Sequence, residues 1–211
     1  MQIDFAFGIV VLIVSVILHE VAHGYMANYL GDPTARLQGR LTLNPLSHID
    51  PVGSVLLPAL LFLTHSPILI GYAKPVPYNP YNLSGKYDEA LVAGAGPGVN
   101  ILLALLFGLS IRFWGDAMTP ELLFAFGGIA YINMLLALFN LIPLPPLDGS
   151  KILSSLLPGS LGRAYDSFRG SFERLGVLTG VIGILLLFYL FAPFFYVFLS
   201  SLFGLLTGQS L

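Results

Sequence analysis

Polar positions are rare in this chain, and their spacing marks out its elements. Residues 5–30 are apolar except for His19, Glu20 and His23 among the ionisable groups. Residues 90–113 and 121–142 are apolar runs of similar length, the first opening with AGAGPGVN. A helix needs about 20 residues at about 1.5 Å each to cross a bilayer, so each predicts a spanning helix. Residues 176–208 are apolar for about 50 Å of helix, too long for one crossing. Pro193 divides that run, which predicts one spanning helix followed by a bent apolar tail.

Two segments break the pattern. PVGSVLLPALLFLT, from residue 51, is shorter than a span and is followed by HSP, the signature of a re-entrant or interfacial piece. ILIGYAKPVPYNP follows, with Pro75 and Pro77 two apart, which reads as extended chain. The prolines strip donors from one edge of that strand and leave those of Lys74, Val76 and Tyr78 on the other. Residues 148–175 are more polar and read as a surface region with short amphipathic helices.

Composition sharpens this picture. The chain is 56% hydrophobic and 9% charged, against about 25% charged in a soluble domain. The expected fold is an all-α polytopic membrane protein. It has about four spanning helices, a re-entrant helix and extended hairpin at 51–78, and a bent C-terminal tail. The lipid bilayer is its main solvent. A net charge of −2 leaves no broad basic surface for nucleic acid. The absence of cysteine excludes disulfides and thiolate metal sites, leaving His, Asp and Glu as ligands. The N-terminus, MQIDFAFG, lacks the positive region of a signal peptide, so its run is expected to be a permanent membrane helix.

HEVAH, residues 19–23, carries the chemistry. On a helix, His19 and His23 are four apart and face the same way, so both imidazoles can hold one zinc ion. Glu20 stands beside the first ligand, where it can act as general base toward a water at the metal. Ionisable groups inside a span are costly and mark function. The competing reading is a polar cluster satisfied by neighbouring helices. A catalytic zinc site needs a third protein ligand, and Asp148 in NLIPLPPLDG is the candidate. Pro143, Pro145 and Pro146 hold irregular backbone there at membrane depth, which is tolerated only beside protein or a water-filled cavity. On its own, Asp148 also suits an Asp-Gly turn or a helix cap. Asn140, one turn before the prolines, can donate to a substrate carbonyl or oxyanion, or to backbone freed near Pro143.

HEVAH, AGAGPGVN and FNLIPLPPLDGSKIL, in that order on three apolar segments, resemble the site-2 protease family of intramembrane zinc metalloproteases, in particular its compact prokaryotic members without PDZ or CBS domains. The resemblance covers about residues 5–30 and 90–155. It implies one Zn²⁺ per chain held by His19, His23 and Asp148, Glu20 as base, and an assisting Asn140. It also implies an extended loop before the second core helix that receives substrate. GYAKPVPYNP suits that role by strand addition, with the edge of Lys74, Val76 and Tyr78 as its contacts, the competing reading being a rigid proline loop without substrate contact. The chain is then a single membrane-embedded domain over 1–211, with 51–78 inserted in the core. It would cut peptide bonds in or near transmembrane segments of membrane proteins, from a multi-pass position in a prokaryotic plasma membrane. The competing class is a metal-ion transporter using the same site, which more often shows repeated halves and several intramembrane carboxylates.

Topology follows by parity. For His19 to meet Asp148, the 5–30 and 121–142 helices must run the same way and 90–113 the opposite way. Residues 31–89 must then begin and end on one side, so 51–74 must turn back. Charge agrees: Arg36, Arg40, Lys74, Lys86, Lys151, Arg163, Arg169 and Arg174 gather on that side and only Arg112 lies opposite, so the crowded side is cytoplasmic. In SHIDP, Asp50 and Pro51 read as the cap and first residue of a helix rather than as a second metal site with His48. His65 reads as a turn residue. Asn100 either faces the substrate cavity or bonds a neighbouring helix.

Overall fold

The computed structural model describes residues 5–56, 63, 73–174 and 177–209. Every regular element among them is helical. α1 spans Phe5–Tyr29, α2 Thr34–Leu37, α3 Asp88–Trp114, α4 Pro120–Asn140, α5 Asp148–Leu156, α6 Gly159–Arg174 and α7 Val177–Thr207. Four stretches are long and apolar enough to span a membrane: Phe5–Tyr29, Asp88–Ala117, Pro120–Asn140 and Tyr189–Thr207.

Local chemistry sets the ends. α4 starts at Thr119, whose Oγ1 accepts from Leu122 N, with Pro120 in the first turn and Glu121 beside the positive helix end. α3 carries Asp88 and Glu89 in its first turn, and Asp88 Oδ2 accepts from Gly85 N at 2.7 Å. α3 is the central helix, packing on α1, α4, α5 and α7. One core cluster joins Ala104, Ala130, Met134, Leu199 and Phe203 from α3, α4 and α7. Large apolar side chains such as Val10, Leu102, Tyr189 and Phe194 stay exposed, as suits helices whose outer faces meet lipid.

The division expected at Pro193 does not interrupt α7, which runs unbroken through it. Proline removes one backbone bond from a helix, and a helix in a bundle absorbs that loss through its neighbours. The polar region divides into α5 and α6 as expected.

The connection from α1 to α3 begins and ends at one place. Asp32, just past α1, accepts from Asn79 N at 2.7 Å and from Asn82 Nδ2 at 2.6 Å. Lys74 N donates to His48 O at 2.9 Å. The chain therefore leaves His48 and returns beside it, as the parity argument requires. Asp50 caps the turn that starts this excursion, accepting from Val52 N and Gly53 N, and Pro51–Leu56 forms a π-helical turn. The predicted turn-back near HSP, with His65, lies outside the described residues. Residues 73–79 are outside any helix, as the paired prolines predict, and Asn79 has extended backbone.

Candidate metal centre

α1 brings His19 and His23 to one face, and the turn after α4 brings Asp148 to them. His19 Nε2 and His23 Nε2 stand 3.1 Å and 3.2 Å from Asp148 Oδ2, and 3.0 Å from each other. Donors at about 2.0–2.2 Å from one tetrahedral zinc ion lie about 3.3–3.5 Å apart, so the triangle matches such an ion within a few tenths of an ångström.

The opposite edge of each imidazole fixes which nitrogen is free. His19 Nδ1 lies 2.6 Å from Asn100 Oδ1, and His23 Nδ1 lies 2.7 Å from Val92 O. Both partners only accept, so both Nδ1 atoms carry the proton and both Nε2 lone pairs point inward. Asn100 is itself oriented, because its Nδ2 donates to Asn133 Oδ1 at 2.9 Å and to Ser15 O at 3.4 Å. Asn133 Nδ2 in turn donates to Ile129 O. Two imidazole nitrogens and a carboxylate oxygen converging this closely need a proton or a metal cation among them, and with both Nδ1 atoms donating outward the Nε2 atoms are the ones available to a metal. The donor set therefore fits zinc.

Backbone room is provided by glycine. A Cβ at Gly96 would fall on His23 Nε2 and 2.6 Å from His19 Nε2, inside the ligand triangle. Gly149, after Asp148, packs against the Leu141 and Ile142 carbonyls, where no side chain fits. Asp148 occupies the first turn of α5, so its role as a helix-start carboxylate and its place beside the histidines coexist.

Glu20 Oε2 accepts from Val76 N at 2.9 Å. This changes the reading of the proline strand. Of the three edge donors expected to be free, Lys74 N is bonded to His48 O and Val76 N to Glu20. Neither is open to an added strand, because the strand lies against α1 rather than along an open edge. The Tyr78 ring lies under Lys151 Nζ at 5.3 Å. Asn100 is fully buried behind His19 and bonds neighbouring helices. Asn140 is half-buried, and its Nδ2 donates to Leu136 O at 3.0 Å, one turn back. His48 donates from Nε2 to Thr42 O and stands apart from the triad. Among the described residues, His19, His23 and Asp148 form the sole cluster of three suited to hold a metal.

Asn133, Gly96, Gly24 and Asp32 were not singled out from the sequence. Asn133 carried a signal, being an amide in the middle of an apolar helix. Asp32 lies outside the spans. Burial alone would raise its carboxyl, but donors from Thr34, Asn79 and Asn82 outweigh that and hold it below its ordinary value.

Comparisons with known proteins agree with this geometry. Residues 109–187 match peptidase family M50; they include Asn140 and Asp148 but not the histidines. The chain is 40% identical over 159 residues to "Putative zinc metalloprotease YwhC" of Bacillus subtilis, covering 71% of this chain and 68% of the relative. It is 32% identical over 166 residues to "Putative zinc metalloprotease Rip2" of Mycolicibacterium smegmatis, and 31% over 152 residues to the protein of that name in Mycobacterium tuberculosis. These matches cover 61% and 58% of those relatives, less than two thirds of their length. No solved structure matches. With its membrane-spanning helices and its His, His, Asp cluster, the chain belongs to peptidase family M50, the site-2 proteases.

Proposed function

We propose that this protein hydrolyses peptide bonds within or near transmembrane segments of other membrane proteins, using one zinc ion held by His19, His23 and Asp148. The observation that carries the proposal is the convergence of three electron-pair donors, with fixed tautomers, next to a glutamate on a membrane-spanning helix. Zinc, when bound, polarises the scissile carbonyl and makes water a nucleophile near neutral pH. Glu20 takes the proton from the attacking water as the new C–O bond forms, and passes it to the amine as the C–N bond breaks. Asn140 assists by donating to the developing oxyanion once its amide leaves Leu136 O. An apolar groove of about 550 Å³, lined by Leu18, Ala22 and Tyr25 of α1, Ala95 and Val99 of α3, and Leu41, adjoins the ligand-bearing turns and suits an apolar substrate segment.

The parity and charge arguments support a position of the triad toward the cytoplasmic side of a prokaryotic plasma membrane. The test is cleavage of single-span peptides by purified protein, with and without a zinc chelator and with Glu20→Gln. Cleavage lost to the chelator and restored by zinc is expected. Glu20→Gln should keep zinc and lose about 10²–10⁴-fold in rate. Retained cleavage by that variant refutes the assignment, and zinc flux into vesicles without cleavage would favour a transporter.

A further inference from the structure

We infer that the proline strand Lys74–Tyr78 is a positioning element for the general base, holding Glu20 through the backbone N–H of Val76. The inference rests on the base role proposed for Glu20 and adds the part that sets its geometry.

Glu20 and Gly24 are one turn apart on α1 and share a face. The strand crosses that face. Val76 is buried, 5% exposed, and a Cβ at Gly24 would stand 2.7 Å from Val76 Cγ1 and 2.6 Å from Leu41 Cδ2. A bare glycine therefore lets Val76 settle close to the helix, and this close approach brings its N–H within 2.9 Å of Glu20 Oε2.

The strand is fixed on both sides of Val76. Before it, Lys74 N donates to His48 O at 2.9 Å. The buried Arg40 donates from Nη2 to Lys74 O at 3.0 Å and to Pro75 O at 3.3 Å. After it, Asn79 N donates to the buried Asp32 at 2.7 Å. Pro75 and Pro77 cannot donate, so Val76 offers the sole backbone N–H between Lys74 and Tyr78. That N–H goes to Glu20. One carboxylate oxygen is anchored, and the other is left for proton transfer. A carboxylate on a flexible side chain loses about two rotatable degrees of freedom by this bond before any substrate arrives, which is how positioning lowers a barrier. Arg40 and Gly24 act through the strand and are positioning residues as well.

The contact is read directly by amide hydrogen exchange. Because Pro75 and Pro77 have no amide hydrogen, few amides share a fragment covering residues 73–79, and residue-level fragmentation separates Val76 from Lys74, Tyr78 and Asn79. Glu20→Ala should accelerate exchange at Val76 by about tenfold or more and leave Lys74, bonded to His48, unchanged. Equal exchange at Val76 in the two proteins overturns the inference, whether or not the protein is a protease. The functional arm compares Val76→Pro, which removes the donor, with Val76→Ala, which keeps it and trims the side chain. The kcat of Val76→Pro should fall about 10–100-fold below that of Val76→Ala, with the two KM values and zinc contents alike. Equal kcat in the two, or a difference confined to KM, overturns it. Arg40→Met serves if Val76→Pro does not fold: exchange at Val76 should rise and kcat fall together, and faster exchange with unchanged kcat overturns the positioning role. Cleavage retained by Glu20→Gln would instead overturn the base assignment and leave the exchange result standing.

Discussion

Replacing Asn100 by alanine tests how the metal centre is held. Asn100 is fully buried and makes a 2.6 Å bond to His19 Nδ1 and a 2.9 Å bond to Asn133. The truncation orphans two groups, the His19 Nδ1–H and Asn133 Oδ1. Each buried orphan costs about 1–3 kcal/mol. His19 can recover its loss by moving the proton to Nε2, but that tautomer points a hydrogen where zinc needs a lone pair. Loss of such an orienting partner costs about 10–100-fold in metal affinity, or about 1.4–2.7 kcal/mol. The assay is competition for zinc between the detergent-solubilised protein and a fluorescent chelator. Asn100→Asp keeps the acceptor and should bind more tightly than Asn100→Ala. Zinc affinity in Asn100→Ala within twofold of the parent, beside a His19→Ala variant that binds none, would refute the argument.

Other outcomes follow from the same geometry. Gly96→Ala puts a methyl among the ligand atoms and should cost more than about 100-fold in zinc affinity while the helices persist by circular dichroism; zinc bound as tightly as in the parent would contradict the placement. Asp32→Asn should lower the thermal midpoint at pH 7. A carboxyl held below its ordinary value contributes stability above about pH 4, and this is lost as pH falls through the folded-state value. The gap between parent and Asp32→Asn should therefore close in acid, and a gap that widens there is the wrong sign. Ala95→Phe narrows the apolar groove and should raise KM for apolar single-span peptides with little change in zinc content; an unchanged KM removes the groove from the substrate path.

The meeting of His19, His23 and Asp148 was legible because the cost of such groups is high. Two imidazoles and a carboxylate on apolar segments have few explanations other than one another, and the spacing of His19 and His23 fixes their common face. Parity then followed from a single required contact, and the bond of Asp32 to Asn79 meets that requirement. The proline segment was read correctly as non-helical, but two of its edge donors, expected to be free, are bonded. Prolines reveal which amides exist, while what Val76 N–H meets depends on how closely the strand lies on α1, and that is set by Gly24 some 50 positions away. Asn100 had two open roles because an amide in a membrane helix is equally suited to a cavity or a neighbour. Gly96 drew no notice in AGAGPGVN, since nothing local says that its missing side chain faces imidazoles rather than another helix.

The turn that delivers Asp148 also bears on how the chain enters a bilayer. Hydrocarbon offers no solvent to a peptide group, and each unpaired donor left there costs several kcal/mol. Pro143, Pro145 and Pro146 have no donor to leave. Leu144 and Leu147 spend theirs inside the turn, on the carbonyls of Ile142 and Leu144, and the Pro143 carbonyl accepts from Tyr165 Oη at 2.8 Å. The turn thus carries an unusually small insertion debt for non-helical backbone. An alanine at any of the three would add a donor with no ready partner, to be met by water drawn inward, and such a variant should insert less efficiently even where its folded activity survives.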